Sequence, residues 1–190
     1  MSPPTPRRRR APAVLEVHGG PHCLYGTTFF HEFQVLAAAG HVVVYSNPRG
    51  SKGYGEDHCS AIQGKWGQAD WEDIQAVSRF MQQLPDVHPD RLAIMGGSYG
   101  GYMTTWAIGH TDLFAAAITD RCVSNLVSMA GSSDYPLVPG EYWPGNPWDD
   151  NEEIWQQSPI RRVRHVTTPT LVIHSEGDLR CNIEQGEQVF

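Results

Sequence analysis

One stretch, Met95-Gly96-Gly97-Ser98-Tyr99-Gly100-Gly101-Tyr102, constrains the fold more than any other part of the chain. An apolar run over 92–95 leads into it and reads as a strand. Residues 99–110 follow and read as a helix. The order is strand, tight turn, helix, and the turn carries Gly96-x-Ser98-x-Gly100. Glycine on both sides lets strand and helix approach where a Cβ would clash, and the serine between them is lifted off the sheet on a strained backbone. Its hydroxyl then lies at a helix N-terminus, where free N–H groups and the dipole favour a developing negative charge. The plainer alternative is a glycine-rich turn closing an ordinary βα unit.

The rest of the chain repeats this alternation. Val14-Leu15-Glu16-Val17 reads as a first strand, stopped by His18-Gly19-Gly20-Pro21. Residues 29–39 are apolar on several turns and end at Gly40, a helix stop. The Val-rich run over 41–46 reads as a strand buried on both faces. A long Gly- and Pro-containing loop over 47–55 follows. Residues 70–84 place Trp71, Ile74, Val77, Phe80 and Met81 at helical spacing, with Asp70, Glu72 and Asp73 at the positive end. Residues 114–119 and 170–174 read as further strands, and a helix starts near Ile183. Such alternation implies right-handed crossovers and an α/β fold, a mostly parallel sheet with helices on both faces. Residues 120–160 hold five prolines and read as an irregular excursion, either surface packing or a wall or lid over a site.

Composition sets the outer limits. A chain of 190 residues, 40% hydrophobic and 18% charged, suits one globular domain. Its net charge of −7 argues against a nucleic-acid partner, and no apolar stretch approaches the about 20 residues of a membrane span. Prolines and four arginines mark 1–12 as a disordered tail before a domain over 13–190. Cys23, Cys59, Cys122 and Cys181 are widely spaced, without ligand patterning. They read as free thiols of a reducing, cytoplasmic compartment, with no metal or cofactor expected.

A serine hydroxyl needs a base to take its proton and an acid to orient that base. On α/β-hydrolase scaffolds the chain order is Ser, Asp or Glu, then His. Asp178 stands in the loop after the last strand, on the sheet edge that Ser98 shares; the alternative is a plain turn aspartate. The Tyr99 N–H, directly after the serine, suits an oxyanion donor. His18 suits structural support of its glycine loop. All nine histidines precede Asp178, so that order is not completed within these residues.

His18-Gly19-Gly20-Pro21, Asn47-Pro48-Arg49-Gly50 with Gly53-Tyr54-Gly55, the turn around Ser98, and Gly177-Asp178-Leu179-Arg180 together resemble the prolyl oligopeptidase family. Residues 170–174 and Glu184-Gln185 look most like its acylaminoacyl-peptidase branch. The resemblance covers about 13–190 and implies an α/β-hydrolase domain that cleaves peptide bonds through a serine acyl-enzyme. It implies Ser98 as nucleophile, Asp178 as acid, the Tyr54 hydroxyl beside the Tyr99 N–H as oxyanion donors, and Arg180 as a holder of a substrate carbonyl. In the family a β-propeller and further strands precede this region, and one more strand and the catalytic histidine follow it. The chain therefore reads as the middle of a catalytic domain, truncated at both ends, with little or no turnover expected. Two other readings stay open: a non-catalytic remnant binding peptides or partners through sheet edges, and a small-acyl esterase. Oligomeric state is not assigned.

Overall fold

The structure, a computed structural model, describes residues 10–135, 142, 145–149 and 151–190. The tail expected over 1–12 lies outside the described residues for 1–9. Strand β1, Ala11–Val17, starts before residue 13 because the Ala11 N–H donates to the Asp86 carbonyl at 2.7 Å. The register against the neighbouring strand shifts between Ala11 and Ala13.

After β1 come helix α1 (His31–Ala38), β2 (Val42–Tyr45), α2 (Glu56–Ser60), α3 (Ala69–Gln83), β3 (Val87–Gly97) and α4 (Tyr99–Ile108). Then follow β4 (Ala116–Asp120), α5 (Leu126–Ser132), α6 (Asn151–Gln156), a 3-10 stretch (Pro159–His165), β5 (Thr170–Ile173) and α7 (Glu184–Glu187). The strands form one sheet in the order β2-β1-β3-β4-β5, every neighbouring pair parallel. All strand C-termini therefore meet one edge, and the loops that carry chemistry leave from it.

Register separates the two faces. Leu15, Ile94 and Ala117 align on one face, where they meet the buried side chains Ile74 and Met81 of α3 and Tyr102 and Met103 of α4 in a single core. Burying one such side chain stabilises by about 1.5–3 kcal/mol, so this layer anchors the fold. On the other face α1 packs near β2, with Phe33 stacked on Tyr45 at 4.7 Å. Helices thus lie on both faces, as the alternation predicts. Cover thins towards β5, where Leu171 and Ile173 remain half exposed.

Two local expectations change. The Val-rich run over 41–46 is not buried on both faces: β2 ends the strand order and its residues are half-buried or exposed. An apolar run reports buriability, while position in the sheet decides burial. The excursion over 120–160 holds α5, α6 and the 3-10 stretch. Asn125 caps α5, accepting from the Ser128 N–H at 3.2 Å. Helices of six or seven residues span under two turns, too few for a period to show in sequence.

Candidate active site

Ser98 joins β3 to α4 with φ 60° and ψ −120°, a conformation that costs a non-glycine residue about 1–3 kcal/mol. Its surroundings hold it there. The Ser98 N–H donates to the Asp120 carbonyl at 3.0 Å, and the Tyr102 N–H donates to the Ser98 carbonyl at 2.9 Å. All ten residues of α4 are buried, so the helix cannot relax away from the turn. The Tyr99 N–H heads α4 and has no acceptor one turn back within the helix.

Below this turn lies a contact that sequence reasoning missed. Asp70 reads in sequence as an acidic residue at the positive end of a helix, and it is fully buried. It accepts from the Tyr99 hydroxyl at 2.6 Å and from the N–H groups of Gly67 and Trp71. Burial pushes its carboxyl up, and these hydrogen bonds offset that only in part. The Trp66 ring meets Tyr99 edge-on at 5.0 Å. Tyr99→Phe leaves this carboxylate short of a donor, so urea unfolding should show a loss of about 1–3 kcal/mol. A loss under about 0.5 kcal/mol would mean that the contact does not anchor the turn.

The loop after β5 folds on Asp178. One carboxylate oxygen accepts from the N–H groups of Arg180 and Cys181, both at 2.9 Å. That turn brings the Cys181 Sγ to 3.9 Å from the Ser98 Oγ. Burial pushes the Cys181 thiol up, which keeps it protonated beside the serine. The Arg180 guanidinium pairs with Asp134 and lies 5.1 Å above the Tyr135 ring.

A cleft of about 380 Å³ collects these groups, with Ser98, Tyr99, Arg180 and Cys181 among its lining residues and Gly20 beside them. Tyr135 and Tyr142 form part of its wall, as one reading of the 120–160 excursion expects; residues 136–141, 143–144 and 150 lie outside the described residues. Asp178 does not itself line the cleft; its loop does. Nor does Tyr54: it is 61% exposed, its hydroxyl accepts from the Asn47 side-chain amide at 2.9 Å, and its ring packs on His58. Gly20, with φ 124°, occupies the cleft instead. The signal for it was present in His18-Gly19-Gly20-Pro21. His18 is buried and supports that loop: Nδ1 donates to the Gly19 carbonyl at 2.7 Å and Nε2 lies 2.8 Å from the Ser51 hydroxyl. Burial lowers its pKa, which favours the neutral ring. His22 also lines the cleft, with Nδ1 donating to the Gly50 carbonyl at 2.7 Å.

Known proteins share this sequence and fold. The chain is 47% identical over 181 residues to the uncharacterized peptidase YuxL of Bacillus subtilis, covering 94% of this chain and 28% of that protein. It is 33% identical over 186 residues to the acylamino-acid-releasing enzyme of Arabidopsis thaliana, covering 93% of this chain and 24% of that one. A solved acylaminoacyl peptidase in complex with Z-Gly-Gly-Phe-chloromethyl ketone superimposes with a TM-score of 0.90 at 36% identity, covering 98% of this chain and 31% of that one. The chain thus spans less than a third of the length of each of these relatives. The sheet, the strained serine turn and the helix cover together are those of the α/β-hydrolase fold. The prolyl oligopeptidase family model matches residues 27–190, and the chain belongs to that family.

Proposed function

We propose that this region is the nucleophile-bearing part of a serine peptidase that cleaves peptides through an acyl-enzyme. The observation that carries this is the strained Ser98, with its hydroxyl facing the Asp178–Cys181 turn across 3.9 Å. Ser98 Oγ attacks the scissile carbonyl carbon, and the oxyanion forms at the mouth of α4. The Tyr99 N–H and the N–H of Gly20 stabilise it, in place of the Tyr54 hydroxyl. Each such donor contributes about 2.7–4 kcal/mol when aimed at the developing charge. Asp178 serves as the acid that orients the base. Arg180 holds a carbonyl upstream of the scissile bond, which favours a peptide over a small ester. Trp66, Val123, Met129 and Tyr142 give the cleft an apolar side suited to an apolar residue on the acyl side. The relative solved with a Phe-containing peptide reagent supports that preference.

Proton transfer from Ser98 needs a base, and no histidine follows Asp178 in residues 1–190. These residues alone should therefore label slowly with a fluorophosphonate probe, retaining about 10³–10⁴-fold acceleration over water from the oxyanion donors and binding. Ser98→Ala should abolish the label. Labelling that survives Ser98→Ala would remove the nucleophile assignment; rapid stoichiometric labelling would show that a base is in place. The four free cysteines support a reducing, cytoplasmic setting. No helix among the described residues is long and apolar enough to cross a membrane.

A further inference from the structure

The turn over 64–67 lies between α2 and α3 and carries Trp66 into the wall of the Ser98 cleft. The indole is buried and meets the rings of Tyr99, Tyr102 and Tyr142 edge-on at 5.0, 5.0 and 5.7 Å. The backbone behind it belongs to no strand or helix, and Gly64 and Gly67 turn it with φ 64° and 78°. Its buried N–H and C=O groups have no ladder to join, so they need partners from elsewhere.

One side chain from far along the chain supplies two of them. Gln157 is 4% exposed; its Oε1 accepts from the Trp66 N–H at 3.0 Å, and its Nε2 donates to the Gly64 carbonyl at 2.9 Å. A carboxamide offers one acceptor and two donors on a single plane, and here it meets one group of each complementary kind. Gln157 is itself held. Its N–H donates to the Ile154 carbonyl at 3.2 Å. Beside it the Ser158 hydroxyl accepts from the Leu126 N–H, and the Ile160 N–H donates to the Ser124 carbonyl, both at 3.0 Å. Residues 157–160 thus tie together two walls of the cleft. Trp66 stands on one, and Val123 and Met129 stand on the other, at the start of α5 and within it.

We propose that Gln157 is a positioning residue: it fixes Trp66 as a wall of the cleft and so sets a preference for an aromatic residue on the acyl side of the scissile bond. This rests on reading the cleft as the acyl-side site of Ser98. Gln157 does not line the cleft, and it acts only through Trp66. Leucine in its place keeps most of the volume and offers neither hydrogen bond. The Trp66 N–H and the Gly64 carbonyl are then buried unpaired, and the turn moves to reach other partners. Trp66 moves with it, and a ligand's ring loses the surface it packs on. The serine turn keeps its own hydrogen bonds from Ser98 to Asp120 and from Tyr102 to Ser98.

Titration calorimetry on the 190-residue chain tests this with the boronic acid analogues of N-acetyl-phenylalanine and N-acetyl-alanine. In both, the Ser98 Oγ bonds to boron, the adduct becomes a tetrahedral anion, and the hydroxyl proton passes to solvent. They differ only in the phenyl ring, so the ratio of their Kd values reads the apolar wall. The parent should favour the phenylalanine analogue by about tenfold or more. Gln157→Leu should cut that ratio to about threefold or less, with the Kd of the alanine analogue changed by under about twofold. Gln157→Asn keeps the amide, is one methylene too short to reach both backbone groups, and should lower the ratio in the same direction; it serves where the leucine variant does not fold. Trp66→Leu should lower the ratio as far as Gln157→Leu, and the double variant should go no further. Ser98→Ala should weaken both analogues alike; if it weakens neither, the nucleophile reading fails while the ratio still tests Gln157. No preference in the parent, a ratio unchanged in Gln157→Leu and Gln157→Asn, or additive losses in the double variant overturns the proposal.

Discussion

Gly100→Ala is expected to remove a large share of the domain's stability, about 4 kcal/mol or more. A Cβ built on Gly100 would sit 2.1 Å from the Val17 carbonyl oxygen, 3.0 Å from the Val17 carbonyl carbon and 3.2 Å from the His18 carbonyl oxygen. All three are backbone atoms, so no side-chain rotation relieves the contact. Val17 is held in β1 between two neighbouring strands, and α4 is buried along its whole length. One of them must shift by roughly an ångström. Overpacking a side chain in a core typically costs about 1–3 kcal/mol. A backbone-to-backbone clash between the central strand and the central helix should exceed that, at about 4 kcal/mol or more. A domain holds only about 5–15 kcal/mol in total. Far-ultraviolet circular dichroism against urea checks this, with Gly131→Ala as reference. Gly131 lies in α5 with no atom within 4 Å of an added Cβ, so that change should be neutral or stabilise by about 0.5–1 kcal/mol. A folded Gly100→Ala protein with an unchanged urea midpoint would mean that α4 does not press on β1 as described. Ser98 would then lose the support that holds its strained backbone.

Glu16→Gln should make the domain more stable at pH 8.5 and remove a pH dependence that the parent chain carries. The folded carboxyl stands at about 8 against an ordinary value of 4.5. Below 4.5 the folded and unfolded chains both hold the proton, and Glu16 contributes no pH dependence. Between 4.5 and 8 the unfolded chain ionises while the folded chain keeps its proton. Stability therefore falls as pH rises through this window, and the fall due to Glu16 is complete above 8. At 1.36 kcal/mol per unit of displacement, the loss is on the order of 4–5 kcal/mol. Urea unfolding of both proteins at pH 5 and 8.5 isolates the effect, because every other titrating group is shared. Parallel stability curves for the two proteins would show that Glu16 ionises as freely in the fold as in the unfolded chain.

Much of the scaffold was legible because its signals are short-range. The turn around Ser98 compresses strand, glycine pair and helix into about a dozen residues. Each condition on it is steric and local. The strand over 170–173 followed by Gly177-Asp178 also announced itself, and Arg180 lines one cleft with Ser98 and Tyr99. Tyr54 did not: a tyrosine in a glycine-rich loop carries no mark of which way its hydroxyl faces, and here it turns to Asn47. Asp70 was hidden for a related reason. At a helix start an acidic residue satisfies the dipole, and nothing nearby in sequence tells of a tyrosine hydroxyl 29 residues away.

Glu16 shows the division most plainly. Val14-Leu15-Glu16-Val17 reads as a mostly apolar strand with one acidic position, and all four residues are buried. Whether that acidic position meets water depends on what else lies on its face. Register sets Tyr45 and Met95 beside Glu16, and the segment around α1 covers it. By itself the sequence determined the order of strands and helices, the serine turn and the edge on which its chemistry lies. Each of these follows from steric rules acting over a few residues. Tertiary structure alone decided which polar groups were buried, which were paired and which hydroxyls reached the cleft. Burial and pairing are properties of distant segments brought into contact, and a local pattern of side chains does not encode them.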